Sequence, residues 1–426
     1  MKRDLALRLL SNILPNPPWD ESRSQEFFKE LEILAEHKYN TYEMYQPGRL
    51  FFENLYLWLL GFEPEERTTA LQFVRENLIF ISRGEFQQLA QVLYFDKILH
   101  RQLDITSERT GIPRFRVRRL ARSVELQRIK RASLYVALSD GARIDYFRRQ
   151  NLSITNEQVL PIYYPSEEKV ANILTELEKS LGQDARFDCL FLIDDFCGSG
   201  RTLLREFVKV SPVRSLASLT IPPELSAYIS YNEAKNELRL NWAQTLSEPI
   251  KSSLLSLCED YAYTGAIQTL IEKVESKQTE LDGSLKRLAE GYLATLVTEK
   301  SRIFLCPLLT TEYAIRQMQP LLQRLPSPFN GLEFLPGAVL PDSVRIKPSD
   351  DCGQSNPTIS TLCCKYYRDD LADKHTGDIK FGYDACGLPL VLHHNTPNNS
   401  IYLLWSRRLS NPLFVRYERH GREAIG

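Results

Sequence analysis

The stretch "FDCLFLIDDFCGSGRTLLREFVKV", Phe187 to Val210, most narrows what this chain can fold into. Its apolar run from Cys189 to Ile193 shows no alternation, the mark of a strand buried on both faces, as in a parallel sheet covered by helices. Two aspartates follow, then the small-residue turn "CGSG", then a helix-like run. The order strand, tight turn, helix recurs in "ASLYVALSDGARIDYFRRQN" from Ala132 and in "RIFLCPLLTTEYAIRQMQPLLQRL" from Arg302, and "EEKVANILTELEKSLG" reads as an amphipathic helix between the first two units. Such alternation predicts parallel βαβ units and an α/β fold. "LEFLPGAVL", from Leu332, adds one further strand.

The rest of the chain is organised around this core. At 426 residues, two or three domains are expected. From Ser24 to Leu103 apolar residues recur at helical spacing, which predicts an all-helical N-terminal region with Phe51, Tyr56 and Trp58 in its core; "SRGE" at Ser82 resembles a capping box. The next segment carries eight basic residues between Arg114 and Arg131 against one acid, Glu125. Its "SERTGIPRFRVRRLAR" has a loose helix-turn-helix or winged-helix look. A nucleic-acid contact, a solvated basic face and the lining of an anionic pocket are the readings left open. The expected boundaries are 1–128 for the helical region, 129–345 for the α/β core with an insertion at about 213–300, and 346–426 for a C-terminal extension. In that extension, two strand-like pieces flank the turn-forming "NTPNNS".

Several function classes are excluded. With 43% hydrophobic and 25% charged residues, neither disorder nor a fibrous class fits. No apolar run approaches the roughly 18 residues of a membrane span, and the start "MKRDLALRLLSNILPNPPWDES" is too interrupted for a secretory signal, so a cytoplasmic protein with no membrane partner is expected. The eight cysteines form no CxxC and the six histidines no HExxH, which predicts reduced, packed thiols and no metal-ligating residues.

In a parallel α/β sheet, ligands bind where strands end and turn into helices. Asp194 and Asp195 stand at such an end as acceptors for hydroxyls. Cys197, Gly198, Ser199, Gly200, Arg201 and Thr202 follow, with bendable backbone, N–H donors and hydroxyls suited to a phosphate. A ribose 5-phosphate needs both. No lysine follows Gly200, so a Walker A loop is excluded, and a GxGxxG fingerprint would put its third glycine at Leu203. A solvated acidic turn is the alternative.

These residues also carry a likeness. "FLIDDFCGSGRT" resembles the ribose-phosphate loop of type I phosphoribosyltransferases. Together with "LSDGARIDYFRRQN" and "HHNTPNNSIYLLW", it resembles the phosphoribosyltransferase-like family of bacterial conflict systems, whose members occur beside reverse transcriptases in retron-type antiphage cassettes. The likeness implies a type I phosphoribosyltransferase-like parallel sheet with flanking helices, a large insertion and a C-terminal hood. It implies that Asp194 and Asp195 receive the ribose 2- and 3-hydroxyls, with Asp195 a candidate general base, while Cys197 to Thr202 wrap the 5-phosphate. Ser139, Asp140, Gly141 and Arg143 occupy the place of the pyrophosphate loop, with Arg148 and Arg149 as further diphosphate contacts; "DGARID" departs from the loops of the metabolic enzymes. His393, His394, Asn395, Asn398 and Asn399 would form the hood over the base, or a hairpin turn packed by Trp405.

The implied activity is that of an antiphage effector. It would bind phosphoribosyl diphosphate or a nucleotide 5-phosphate together with Mg2+, and transfer or cleave at the ribose anomeric carbon as a glycosyltransferase. The implied partners are a reverse transcriptase, retron DNA-RNA and a small helix-turn-helix protein. The other reading is a catalytically inactive nucleotide-sensing regulator that binds nucleic acid or a partner protein through its basic N-terminal part.

Overall fold

The computed structural model describes residues 3–15, 21–161, 165–200, 207–210, 220–232, 237–241, 246–259, 264–275, 285, 288, 291, 293–323, 325, 329, 331–348, 358–367, 379–406 and 411–416. In chain order its strands are β1 (Ile79–Ile81), β2 (Ser133–Ala137), β3 (Val159–Leu160), β4 (Phe187–Cys197), β5 (Phe207–Val210), β6 (Ile229–Asn232), β7 (Glu237–Asn241), β8 (Val297–Thr311), β9 (Glu333–Phe334), β10 (Ala338–Leu340) and β11 (Leu390–Leu392). The chain divides into two compact units. One comprises Met1–Ala90, Thr311–Tyr313 and Val339–Gly426, the other Gln91–Thr310 and Ala314–Ala338.

A six-stranded sheet runs in the order β10-β8-β4-β2-β3, with β9 also on β8. Strands β3, β2, β4, β8 and β9 pair in parallel. This is the expected α/β architecture, mostly parallel and flanked by helices. β2 is buried along its whole length, and residues Cys189 to Ile193 of β4 are sealed from solvent, as their unbroken apolar run requires.

Register is pinned by an aromatic ladder. Tyr135, Phe191 and Phe304 stand opposite one another on β2, β4 and β8, with rings stacked at 5.4 and 4.8 Å between centroids. Phe147, from the helix Ile144–Gln150, packs on Tyr135 at 5.4 Å. On the other face Leu134, Val136, Leu190, Leu192, Ile303 and Leu305 pack with Val170, Ile173 and Leu177 of the helix Glu167–Leu181 and with Met318 and Leu321 of the helix Glu312–Leu322. Side chains alternate with a period of two, so a slip of one residue would exchange these two faces.

Three elements differ from the sequence reading, the first being β1 (Ile79–Ile81), a strand inside the region expected to be all-helical, where it finds a partner in the distant β11. The helix expected after "CGSG" is not found at Phe207–Val210, which forms β5 and pairs antiparallel with β7, itself paired with β6. "FVKV" suits a strand by its β-branched and aromatic residues, and β7 offers it a ladder; neither is visible from helical spacing alone. Residues 201–206 lie outside the described ones.

In the first unit, helices α1 (Arg3–Ile13), α2 (Glu21–His37), α3 (Phe51–Leu59), α4 (Arg67–Glu76) and α5 (Arg83–Val92) surround an aromatic core. Phe51 and Trp58 are buried as expected, with Tyr56 half-buried beside them. Tyr39 meets Phe51, Phe80 and Phe414 at 4.4, 5.4 and 6.2 Å. The capping box forms: Ser82 donates its N–H and hydroxyl to Glu85 at 2.8 and 2.7 Å, at the start of α5. β1 pairs in parallel with β11, and the Trp58 indole donates to Leu403 O at 2.7 Å, tying the N-terminal helices to the C-terminal segment. The second strand-like piece after "NTPNNS" is instead a helical turn, Tyr402–Trp405. All four of its residues are buried, and a short segment buried all round has no periodicity to tell helix from strand.

Replacing Phe191 by alanine removes the middle ring of the ladder, and we expect a loss of about 3–5 kcal/mol in denaturant unfolding. A loss below about 1 kcal/mol would show that the ladder does not hold the sheet together.

Candidate functional site

β2 and β4 stay paired until Ala137 meets Ile193, and the last rung is the Leu138 N–H donating to Ile193 O at 2.9 Å. Beyond it the chains part. β2 turns through a 3-10 segment, Asp140–Ala142, whereas β4 continues beside β8 as far as Cys197 opposite Thr310. Asp194 and Asp195 therefore lie past the end of one neighbour while still held in extended form by the other. Their orientation comes from this one-sided pairing.

The turn after β2 closes over the carboxylates. Ser139 Oγ donates to Asp194 Oδ1 at 2.6 Å, and the Asp195 N–H donates to the same oxygen at 3.1 Å. The Phe196 N–H donates to Asp195 Oδ1 at 2.9 Å, which fixes the second carboxyl against its own backbone. Gly141 comes so close that a Cβ there would lie 2.6 Å from Asp195 Oδ2. The glycine is thus required by proximity to the carboxylate.

Part of each aspartate's surface remains open to solvent, but the Asp194 carboxyl itself is enclosed. Burial first, then the adjacent negative charge of Asp195, push its pKa up to about 8. Asp194 therefore holds its proton at neutral pH.

The small-residue loop is held from below. Cys197 is buried with its sulfhydryl 3.5 Å from Met318 Sδ, and Thr310, fully buried, donates its hydroxyl to Cys197 O at 2.8 Å. Ser199 is buried, and Gly200 adopts φ 77° against Met318, where a Cβ would lie 2.2 Å from the Met318 side chain. This turn demands glycine on both conformational and steric grounds. Arg201 and Thr202 lie outside the described residues. Burial also pushes the Cys189 thiol up to about 12 and the Cys306 thiol well above its ordinary value, so neither is a nucleophile.

The other candidates separate clearly. Asp140 is exposed at the turn, and Arg143 adopts φ 44°, ψ 46°, a left-handed conformation that costs a non-glycine residue roughly 1 kcal/mol or more. Arg148 and Arg149 sit in the last turn of the helix Ile144–Gln150, about 8 and 9 Å further along its axis. The C-terminal candidates belong to the other unit. There His394 is buried, its ring 5.2 Å from Phe86 and 4.9 Å from His393. Asn395 Oδ1 accepts from the Thr396 N–H at 2.9 Å, Asn398 O accepts from the Tyr383 N–H at 2.6 Å, and Asn399 donates to Tyr383 O at 3.2 Å.

Sequence reasoning missed Thr310 and Met318. Thr310 carried a signal, since it ends the β8 strand beside β4; Met318 carried none, because its role is to fill the space a glycine leaves.

Two substitutions test this geometry. Gly141→Ala should leave the fold intact, with a thermal midpoint within a few degrees of the parent, and abolish ligand binding by displacing Asp195. Wild-type binding in that variant would show that the turn tolerates displacement. For Asp194 the folded-state pKa lies above the unfolded value of about 3.9, so its protonation favours folding at low pH and that stability is lost as pH rises through about 8. Asp194→Asn should therefore gain stability relative to the parent between about pH 5 and pH 9, read as a widening gap in thermal midpoint. A constant gap would contradict the assignment.

The sequence model of PRTase-CE, a phosphoribosyltransferase-like family, matches residues 56–416, most of the chain. No curated protein and no solved structure matches it.

Proposed function

The chain belongs to the phosphoribosyltransferase-like PRTase-CE family, and from that premise we propose that it binds phosphoribosyl diphosphate or a nucleotide 5-phosphate at the carboxyl ends of β2 and β4 and reacts at the ribose anomeric carbon. The observation that carries this reading is the closure of the Ser139–Gly141 turn on Asp194 and Asp195. It sets two hydroxyl acceptors beside a glycine-containing loop at the strand ends, where α/β sheets take their ligands.

Asp194 and Asp195 receive the ribose 2- and 3-hydroxyls. The backbone N–H groups from Cys197 to Gly200, with Arg201 and Thr202, receive the 5-phosphate. Arg143 at the turn faces the diphosphate end, with Arg148 and Arg149 adding positive charge. Displacement of the leaving group, diphosphate or a nucleotide's base, from the anomeric carbon by an acceptor or by water passes through an oxocarbenium-like state and needs no protein nucleophile. The carboxyl pair stabilises that developing positive charge, while the loop holds the sugar in place.

The donor set suits Mg2+. Two adjacent carboxyls offer hard oxygens, and their mutual repulsion would be relieved by a cation. No group of three or more His, Cys, Asp or Glu able to hold an ion occurs among the described residues, so diphosphate oxygens would complete the coordination. Bound in this way, the ion would neutralise the departing diphosphate.

The role in bacterial antiphage defence, alongside a reverse transcriptase, retron DNA-RNA and a small helix-turn-helix protein, rests on the likeness of the three stretches between Leu138 and Trp405. No helix among the described residues is long and apolar enough to cross a membrane.

Titration calorimetry with phosphoribosyl diphosphate, with and without Mg2+, provides the test. We expect Mg2+-dependent binding that the double variant Asp194→Asn, Asp195→Asn abolishes. Equal binding by that variant would remove the site assignment. Labelled ligand recovered unchanged after prolonged incubation would make the protein a nucleotide sensor.

A further inference from the structure

The basic segment between Arg114 and Arg131 is not one uniform charged face. Ion pairs and hydrogen bonds sort it into two groups. Arg114 pairs with Asp104 at 2.6 Å. Arg128 lies 3.4 Å from both Glu125 and Asp188, a cluster that Arg109 joins at 3.0 and 2.8 Å. Arg131 donates to Ser180 Oγ and to Glu176 O, each at 2.9 Å. These residues hold the helix α8 (Val124–Arg131) in place.

Arg116, Arg118, Arg119 and Arg122 are different. All four are exposed, and none of their guanidinium groups has a hydrogen bond or ion pair among the described residues. They lie on or beside α7 (Val117–Ala121), a helix anchored by the buried Leu120 against Leu103 and Leu126. Phe115, 80% exposed, projects from the turn in which the Arg116 N–H donates to Pro113 O at 2.9 Å, and Val124 is 85% exposed. Arg118, Arg119, Arg122 and Val124 line, with Ile112 and Ser123, an open cleft of about 630 Å³. Leaving the Phe115 ring in water and four guanidinium groups unpaired on one short segment forfeits both burial and ion pairing unless something binds there.

We propose that this face is a docking platform for single-stranded nucleic acid. Four free guanidinium groups complement a phosphate backbone, and the exposed Phe115 ring, adjacent to Arg116 in the chain, offers a stacking surface for unpaired bases. The cleft has the size of a small-ligand site, with room for an extruded base. Duplex readout through a recognition helix fits poorly. α7 spans about 7.5 Å, too short to follow a major groove, and the arginines of α8 are already engaged. An acidic peptide would satisfy the arginines but leave Phe115 without a partner. The platform uses none of the residues placed in the phosphoribosyl site, so the two proposals stand or fall separately.

Fluorescence anisotropy with the full chain and a labelled single strand of about 12 nucleotides, as DNA and as RNA, tests this, with a duplex of the same sequence and a polyglutamate peptide as competitors. The parent should prefer single strands to duplex, and the DNA and RNA arms identify the natural source. The triple variant Arg118→Gln, Arg119→Gln, Arg122→Gln should lower affinity at least about tenfold and flatten the salt dependence by roughly two phosphate contacts. Phe115→Ala should weaken binding about 5- to 100-fold with the salt slope unchanged, whereas Arg128→Gln, the same change of charge at a paired position, should stay within about threefold. Thermal midpoints identify any variant that fails to fold, and the parent's salt slope tests the proposal even then. Equal affinity for duplex, displacement by polyglutamate at equal charge, or an unaffected triple variant would each overturn it.

Discussion

Everything in the α/β unit depends on the register of β2, β4 and β8. The Tyr135, Phe191 and Phe304 ladder sets that register through side chains alone, because only one alignment stacks all three rings. With it in place, β2 ends one step before Asp194, and the turn that follows has no course except over the two carboxyls. A slip of one residue would send Asp194 to the face of Asp195 and bury a carboxylate among leucines, at a cost no nearby hydrogen bond offsets. The packing core and the chemical site are thus one construction, since the rings that stabilise the sheet also aim its acids.

The site itself is held against its own interest. Burial of the Asp194 carboxyl, with the neighbouring Asp195 adding to it, disfavours its charged form, which is why Asp194 keeps its proton to unusually high pH. Gly141 approaches Asp195 within van der Waals distance, Arg143 sits in a left-handed conformation, and Gly200 occupies a position no side chain could share with Met318. Such features cluster where a fold is shaped for a ligand rather than for stability. The sugar phosphate and cation proposed for this site would relieve the charge repulsion. The strain is therefore tied to the pocket's chemistry.

The basic segment illustrates how little charge counting decides. Its eight basic residues look alike along the chain, but Asp104, Glu125, Asp188 and Glu176 neutralise or bind some of them and leave four exposed arginines beside Phe115. The acids that do this lie up to 60 positions away, beyond the reach of any local pattern.

The sequence by itself determined the buried parallel strands, most of the N-terminal helices and the capping box at Ser82, because each is written in neighbouring residues whose burial or hydrogen bonding is local; β1 inside the helical region, and the run of β4 through Asp194 and Asp195 to Cys197, were not legible there. It misled where local pattern is ambiguous: "FVKV" found a strand partner in β7, and "YLLW", buried all round, formed a helical turn. Only the tertiary structure decided that Ser139 and Gly141 meet Asp194 and Asp195, that Thr310 and Met318 support the loop, and which arginines remain unpaired. Those outcomes depend on residues far apart in the chain, whose distances exist only once the register of the sheet has brought them together.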